Sequence, residues 1–166
     1  MKTLYLVRHA KSSWKFSELR DEERPLKKRG KKNAKFMAEL LKKGDEIPDL
    51  IISSPAKRAF ATAKIFAEIF ELDNEDLISE KKLYMADNNN FISIINSLPE
   101  NVRKAMLVSH NPGLTNFVSS LSDEEIENIP TCGVVRVDFD TNFWKDVQDS
   151  KGNLIFFEYP KKYMNE

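Results

Sequence analysis

Leu4-Tyr5-Leu6-Val7-Arg8-His9 and Ala105-Met106-Leu107-Val108-Ser109-His110 share one form: four mainly apolar residues, one polar residue, then a histidine. Runs this short and this apolar read as strands buried on both faces. Asp49-Leu50-Ile51-Ile52-Ser53 is a third run of the kind. Between the first and third lies a helical segment, Gly30 to Lys43, with Ala34, Met37 and Leu41 on one face and Phe36 and Leu40 widening the stripe. Gly44 stands at its expected C-terminal cap, and Lys42 and Lys43 suit the negative end of its dipole.

The pattern repeats outward. Ser54-Pro55 predicts a helix start, with a capping hydroxyl followed by proline, running to about Phe70. A short strand is expected near 77–80. A helix opening at Asn88 buries Phe91, Ile94, Ile95 and Leu98, and another runs from Pro112-Gly113 to about Leu121. The Val- and Phe-rich segments 133–139 and 153–158 read as a terminal strand pair. Strand–helix units followed by two strands predict an α/β protein: a three-layer α/β/α sandwich on a mainly parallel sheet with a C-terminal strand pair. Without repeats, low-complexity segments or Gly/Ser linkers, residues 1–166 are expected to form one domain.

The 166 residues carry 26 Lys+Arg, 26 Asp+Glu and two histidines, for a formal net charge of zero. That balance argues against nucleic-acid and membrane-surface partners. The single cysteine, Cys132, excludes an internal disulfide and a C-x-x-C zinc site. A reducing compartment follows, and cytoplasmic localisation is the expectation. The amino-terminal apolar run stops at Arg8 and His9, short of the ~7–15 residues of a leader core. No stretch approaches the ~18 apolar residues of a membrane helix.

In open α/β sheets, ligands sit beyond the carboxyl ends of the strands. Both histidines fall there. Arg8 adjoins His9, and Arg58 lies in the first turn after Ser54-Pro55. Two imidazoles and two guanidinium groups therefore converge on one sheet edge beside two helix N-termini, whose free N–H groups favour anions. Guanidinium matches phosphate oxygens as a fork. The combination describes a phosphate pocket containing imidazoles. Two histidines without a carboxylate or cysteine at ligand spacing do not describe a metal site.

Three segments resemble the motifs of the histidine phosphatase (phosphoglycerate mutase-like) superfamily: Leu6-Val7-Arg8-His9-Ala10-Lys11; Ser53-Ser54-Pro55-Ala56-Lys57-Arg58-Ala59 with Thr62-Ala63; and Val108-Ser109-His110-Asn111-Pro112-Gly113. Arg24-Pro25-Leu26 with Arg29-Gly30 matches the segment before the first helix of small members. The short length and the third motif look most like the small SixA-like phosphohistidine phosphatases. The resemblance implies a metal- and cofactor-independent hydrolase. His9 would be the nucleophile, forming a phosphohistidine intermediate that water hydrolyses. Arg8, Arg58 and His110 would hold the phosphoryl oxygens. The substrate it implies is a phosphorylated protein, first of all one bearing phosphohistidine. Apart from the resemblance, the hydroxyls of Ser12 and Ser13 in the following loop are candidate phosphate donors.

Two departures stand out. Ala10 replaces the glycine that many members carry after the Arg-His pair. No general acid is evident. Asp87 and Asp21 are the candidates, each with a plainer reading as a helix cap or a surface charge. A weak or missing acid suits a phosphoramidate better than an alkyl ester and disfavours a mutase. Two alternatives stay open: a small-molecule phosphatase or phosphoglycerate mutase-type phosphotransferase, and a non-catalytic phospho-ligand binding module.

Residues 24–35 hold seven positive charges and no acid, and Asp123, Glu124, Glu125 and Glu127 form a smaller acidic run. Both read as solvated faces, with steering of an acidic partner the functional alternative for the first. Trp14 and Phe16 read as loop anchors, with lining of a pocket mouth as the other reading. Cys132 is expected in the core.

Overall fold

The computed structural model describes residues 1–165. The strands are β1 (Lys2–Arg8), β2 (Leu50–Ser53), β3 (Leu77–Ser79), β4 (Lys104–Ser109), β5 (Val134–Phe139) and β6 (Asn153–Glu158). The helices are α1 (Lys28–Lys43), α2 (Lys57–Phe70), α3 (Asn88–Asn96) and α4 (Gly113–Leu121). They build one six-stranded sheet in the order β3-β2-β4-β1-β5-β6. The first four of these strands are parallel, and β5 and β6 are antiparallel additions at one side.

Strand alternation divides the core in two. Leu4, Leu6, Ile52, Ala105 and Leu107 pack with α3, α4 and the buried Trp144. Tyr5, Val7, Ile51, Met106 and Val108 point the other way, against α1 and α2. A strand with a helix layer over each face has no solvated side, which is why β1 and β4 read as continuous apolar runs. Phe91 of α3 and Phe117 of α4 stack at 4.6 Å between centroids, joining the two helices of one layer.

Local details adjust the expected boundaries. α1 begins at Lys28, before the expected Gly30. Gly44 does cap it, donating its N–H to the Leu40 and Leu41 carbonyls, but the left-handed residue is Asp45, at φ 59°. α2 starts at Lys57 with Ala56 as its cap residue, not at Ser54-Pro55. The Ser54 hydroxyl does accept from the Ala56 N–H, yet it is also shared with His110, so it belongs to the site. Cys132 is fully buried.

Two glycines set how closely the helices approach the loops around the site. A Cβ at Gly30 would lie 2.1 Å from the Lys11 carbonyl oxygen, and one at Gly113 would lie 2.0 Å from that of Ala86. Only the absence of a side chain permits these contacts. They seat α1 against the loop after β1, and α4 against the segment that follows β3.

Candidate active site

β1 and β4 are adjacent, parallel and in register, with Arg8 opposite Ser109. The residue after each strand is therefore a neighbour of the other: the His9 N–H donates to the Ser109 carbonyl, and the His9 and His110 rings lie 5.1 Å apart. β2 flanks β4 on its other side, and the Ser54 N–H donates to the Val108 carbonyl. This places α2, with Arg58 in its first turn, beside both histidines. The three motifs meet at one edge because the sheet order brings their strands together.

Side-chain bonds then tie the motifs to one another. Thr62, one turn along α2 from Arg58, accepts from the Ala10 N–H at 3.0 Å and donates to the Arg58 carbonyl at 2.8 Å. The Asn111 side chain accepts from the N–H and hydroxyl of Thr115 and donates to the Ile129 carbonyl. It thereby fixes the start of α4. Ser109 donates to the Leu83 carbonyl at 2.7 Å, anchoring the segment that carries Tyr84.

The resulting pocket has a volume of about 620 Å³. Arg8, His9, Arg58 and His110 all line it, as do Ser12 and Asp21, together with Lys11, Arg24, Lys27 and Tyr84. Five cations face one carboxylate. His9 and His110 are buried, at 7% and 5% exposure. His9 Nδ1 lies 2.7 Å from the Ala10 carbonyl oxygen. A carbonyl only accepts, so Nδ1 carries the proton and Nε2 keeps its lone pair. His110 Nε2 is 2.7 Å from Ser54 Oγ, and the Tyr84 ring meets His110 edge-on at 5.4 Å.

Burial, together with the charges of Arg58 and Arg8, depresses the His9 pKa to about 4. Burial acts on His110 as well, followed by His9 and Arg58, and brings it to about 3. Both imidazoles are neutral near pH 7. NMR titration of the two ring signals is expected to find both unprotonated down to about pH 5; a midpoint near 6.5 for either contradicts this. Because the unfolded chain binds these protons first, stability is expected to fall as pH drops from about 6.5 towards 4.

Asp21 holds the arginines. Its carboxylate accepts from Arg58 Nη2 at 2.9 Å, from Arg24 Nη1 at 3.0 Å and from the Tyr84 hydroxyl at 2.7 Å, and its backbone carbonyl accepts from Arg58 Nη1. Partial burial opposes ionisation of Asp21. The hydrogen bonds from Tyr84 and Arg58 and the charges of Arg58 and Arg24 outweigh it and hold the pKa down at about 2. A carboxylate so stabilised holds no proton to give at neutral pH.

Asp87 caps α3, accepting from the Asn90 N–H while Asn90 reaches back to its own N–H. It lines an adjoining groove with Met85, His110 and Asn111, outside the pocket holding His9. Ser12 accepts a hydrogen bond from Arg24. Trp14 corrects the expectation of a loop anchor. It is 74% exposed at the pocket mouth, with the Arg24 guanidinium 3.3 Å over its ring. Its partner is a charged planar group that shields one ring face, so no core contact is needed.

The sequence alone assigns no site role to Arg24, Tyr84, Thr62 or Ser54. Arg24, Ser54 and Thr62 do carry a signal, since each stands in a matched motif segment, but Arg24 reads there as one of a run of solvated charges. Among the described residues, no group of three or more His, Cys, Asp or Glu side chains is placed to hold a metal ion. None of the described helices is long and apolar enough to cross a membrane.

A family model for the histidine phosphatase superfamily (branch 1) matches residues 4–114. An uncharacterised chloroplastic protein of Arabidopsis thaliana is 30% identical over 152 residues, covering 86% of this chain and 69% of its own. Phosphoserine phosphatase 1 of Hydrogenobacter thermophilus is 40% identical over 92 residues, 53% of this chain and 40% of that protein. Among solved structures, a protein of Agrobacterium tumefaciens named for the phosphohistidine phosphatase SixA superimposes with a TM-score of 0.81 at 28% identity. It covers 96% of this chain and 98% of its own. The protein histidine phosphatase SixA complexed with tungstate gives a TM-score of 0.84 at 20% identity, covering 98% and 99%, a likeness of fold.

Proposed function

The chain belongs to the histidine phosphatase superfamily, and from that premise we propose that it hydrolyses phosphohistidine on a protein through a phosphoryl intermediate on His9. One observation carries the reading. His9 presents an unprotonated Nε2, fixed by the Nδ1 contact to Ala10, in a pocket it shares with Arg8, Arg58 and His110.

In this mechanism His9 Nε2 attacks phosphorus, its lone pair forming the new P–N bond while the leaving atom keeps the electron pair of the bond that breaks and takes a proton from solvent. Water then attacks the same phosphorus and gives up a proton to solvent, the P–N electron pair returns to Nε2, and inorganic phosphate departs, leaving His9 neutral. Phosphoryl transfer asks chiefly for in-line positioning and charge neutralisation. Arg8, Arg58 and Arg24 supply the charge. The buried Arg8 Nε and His110 Nδ1 have no hydrogen-bond partner among the described residues. Both are groups that phosphoryl oxygens would satisfy. Ser12 acts through the Arg24 guanidinium that it holds.

Asp21 is assigned a positioning role, fixing Arg58 and Arg24, in place of proton donation. Asp87 caps α3 and lines the adjoining groove rather than the pocket that holds His9. With the Asp21 carboxyl held ionised, the site favours a leaving group that departs without strong protonation. The imidazole of phosphohistidine fits that better than an alkoxide.

The Hydrogenobacter relative, a phosphoserine phosphatase, favours small phosphomonoesters as the second reading. A substrate panel separates the two. A phosphohistidine peptide and an aryl phosphate are expected to turn over, with phosphoserine and 3-phosphoglycerate slower by at least about 100-fold, ~2.7 kcal/mol of transition-state discrimination. Rapid turnover of phosphoserine, with none of the peptide, would transfer the assignment to the second reading. Binding of vanadate without turnover of anything would mean a binding module.

A further inference from the structure

Beside the catalytic pocket runs a second groove, of about 750 Å³, that shares Trp14 and Lys27 with it. Lys15, Phe16, Lys28 and Arg29 also line this groove, and no acidic residue does. We propose that it is the docking surface for an acidic segment flanking the phosphorylated residue of the protein substrate. The inference rests on the reading of a protein-borne phosphoryl group and names the chemistry of the partner around it.

Three observations independent of the catalytic residues support it. First, among the described residues no salt bridge or hydrogen bond engages the side chain of Lys15, Lys27, Lys28 or Arg29, although ten ion pairs form elsewhere. All four are exposed. Second, the fold gains nothing from placing them here. Lys28 and Arg29 open α1, whose first turn holds no acid and whose cap residue, Lys27, makes no side-chain capping bond. Cations at that end oppose the helix dipole. Third, Trp14 and Phe16 are among the most exposed large apolar side chains, at 74% and 46%, and both line the groove. Aromatic and basic side chains that the core does not use, joined to a pocket built for a phosphoryl group, fit a short chain of carboxylates with apolar neighbours.

A nucleic acid fits less well. Exposed Glu18 lies in the same loop as Trp14 and Phe16 and would repel a continuous line of backbone phosphates. A segment a few carboxylates long avoids it.

The test uses two synthetic peptides with one phosphohistidine each, flanked by glutamates in one and by serine and alanine in the other, with an aryl phosphate as control. The variant combines Lys15→Glu, Lys28→Glu and Arg29→Glu. None of these residues lines the catalytic pocket, and glutamates in the first turn of α1 favour the helix, so the variant keeps its fold. The wild type is expected to turn over the acidic peptide with kcat/KM at least about 10-fold above the neutral one, a preference that fades with added salt. The variant is expected to lose that preference and to keep its aryl phosphate activity.

Equal kcat/KM for both peptides with the wild type, or a preference that survives in the variant, overturns the docking surface and leaves the phosphatase reading standing. Fluorescence anisotropy with a labelled, unphosphorylated glutamate peptide reads docking without catalysis. Binding lost in the variant supports the surface even if no phosphohistidine is hydrolysed. Stronger displacement of that peptide by a single-stranded oligonucleotide than by polyglutamate would assign the groove to nucleic acid instead.

Discussion

Replacing His9 with alanine is expected to lower turnover of a phosphohistidine peptide and of an aryl phosphate alike, by at least about 10⁴-fold. Among the described residues, His9 rather than His110 has its Nδ1 bonded to a carbonyl oxygen, so that its Nε2 is free to form a bond to phosphorus. His110 does not replace it, because its Nε2 is already engaged with Ser54. Truncation removes one neutral hydrogen bond, worth about 1 kcal/mol, so the protein is expected to remain folded. Brief mixing with a phosphoryl-labelled substrate checks the chemistry directly. The wild type should trap label on the protein in an acid-labile, alkali-stable form, and the variant should trap none. Turnover within tenfold of the wild type would remove His9 from the nucleophile's role.

The second large effect concerns Arg58. Its replacement by alanine is expected to reduce kcat/KM by about 10²–10³-fold, the usual scale for removing one fixed donor from a developing charge. Arg58→Lys should recover little of this, since a single ammonium nitrogen lacks the planar fork that lets Nη1 reach the Asp21 carbonyl and Nη2 its carboxylate while the guanidinium faces the pocket. Alanine also leaves the Asp21 carboxylate with Arg24 and Tyr84 alone. The Arg58→Ala/Asp21→Asn double variant should then recover stability of up to about 1 kcal/mol, a modest amount because the Asp21 side chain is 43% exposed. It should recover no activity. If the single Asp21→Asn variant matches the wild type in KM and kcat, Asp21 does not position the arginines.

The strands carry most of the fold's signature in the residue order. The four-residue runs at β1, β2 and β4 leave no solvated side, so their apolar character appears directly in the residue order. The helix stripes of α1 and α3 follow the same logic. β3 was faint because it is an edge strand of three residues with two exposed side chains. Ser54 misled for a different reason: a hydroxyl before a proline is a local helix signal, whereas its principal partner, His110, lies 56 residues away.

From residue order alone follow the architecture and the choice of Arg8, His9, Arg58 and His110, which the fold brings into one pocket, because those depend on short-range apolar patterning and on motifs that stay contiguous along the chain. Residue order determined neither the strand arrangement β2-β4-β1 that brings the three motifs together nor what each charged side chain does once there. Asp21, Asp87 and Arg24 look alike as exposed polar residues in a string of letters. Only tertiary structure made Asp21 a carboxylate bound by two arginines and a tyrosine, Asp87 a helix cap and Arg24 a buried pocket cation stacked on Trp14. The physical reason is range. Burial and helical periodicity are written into neighbouring residues, whereas the ionisation and role of a charged group are set by the charges and donors that folding brings within about 3 Å of it.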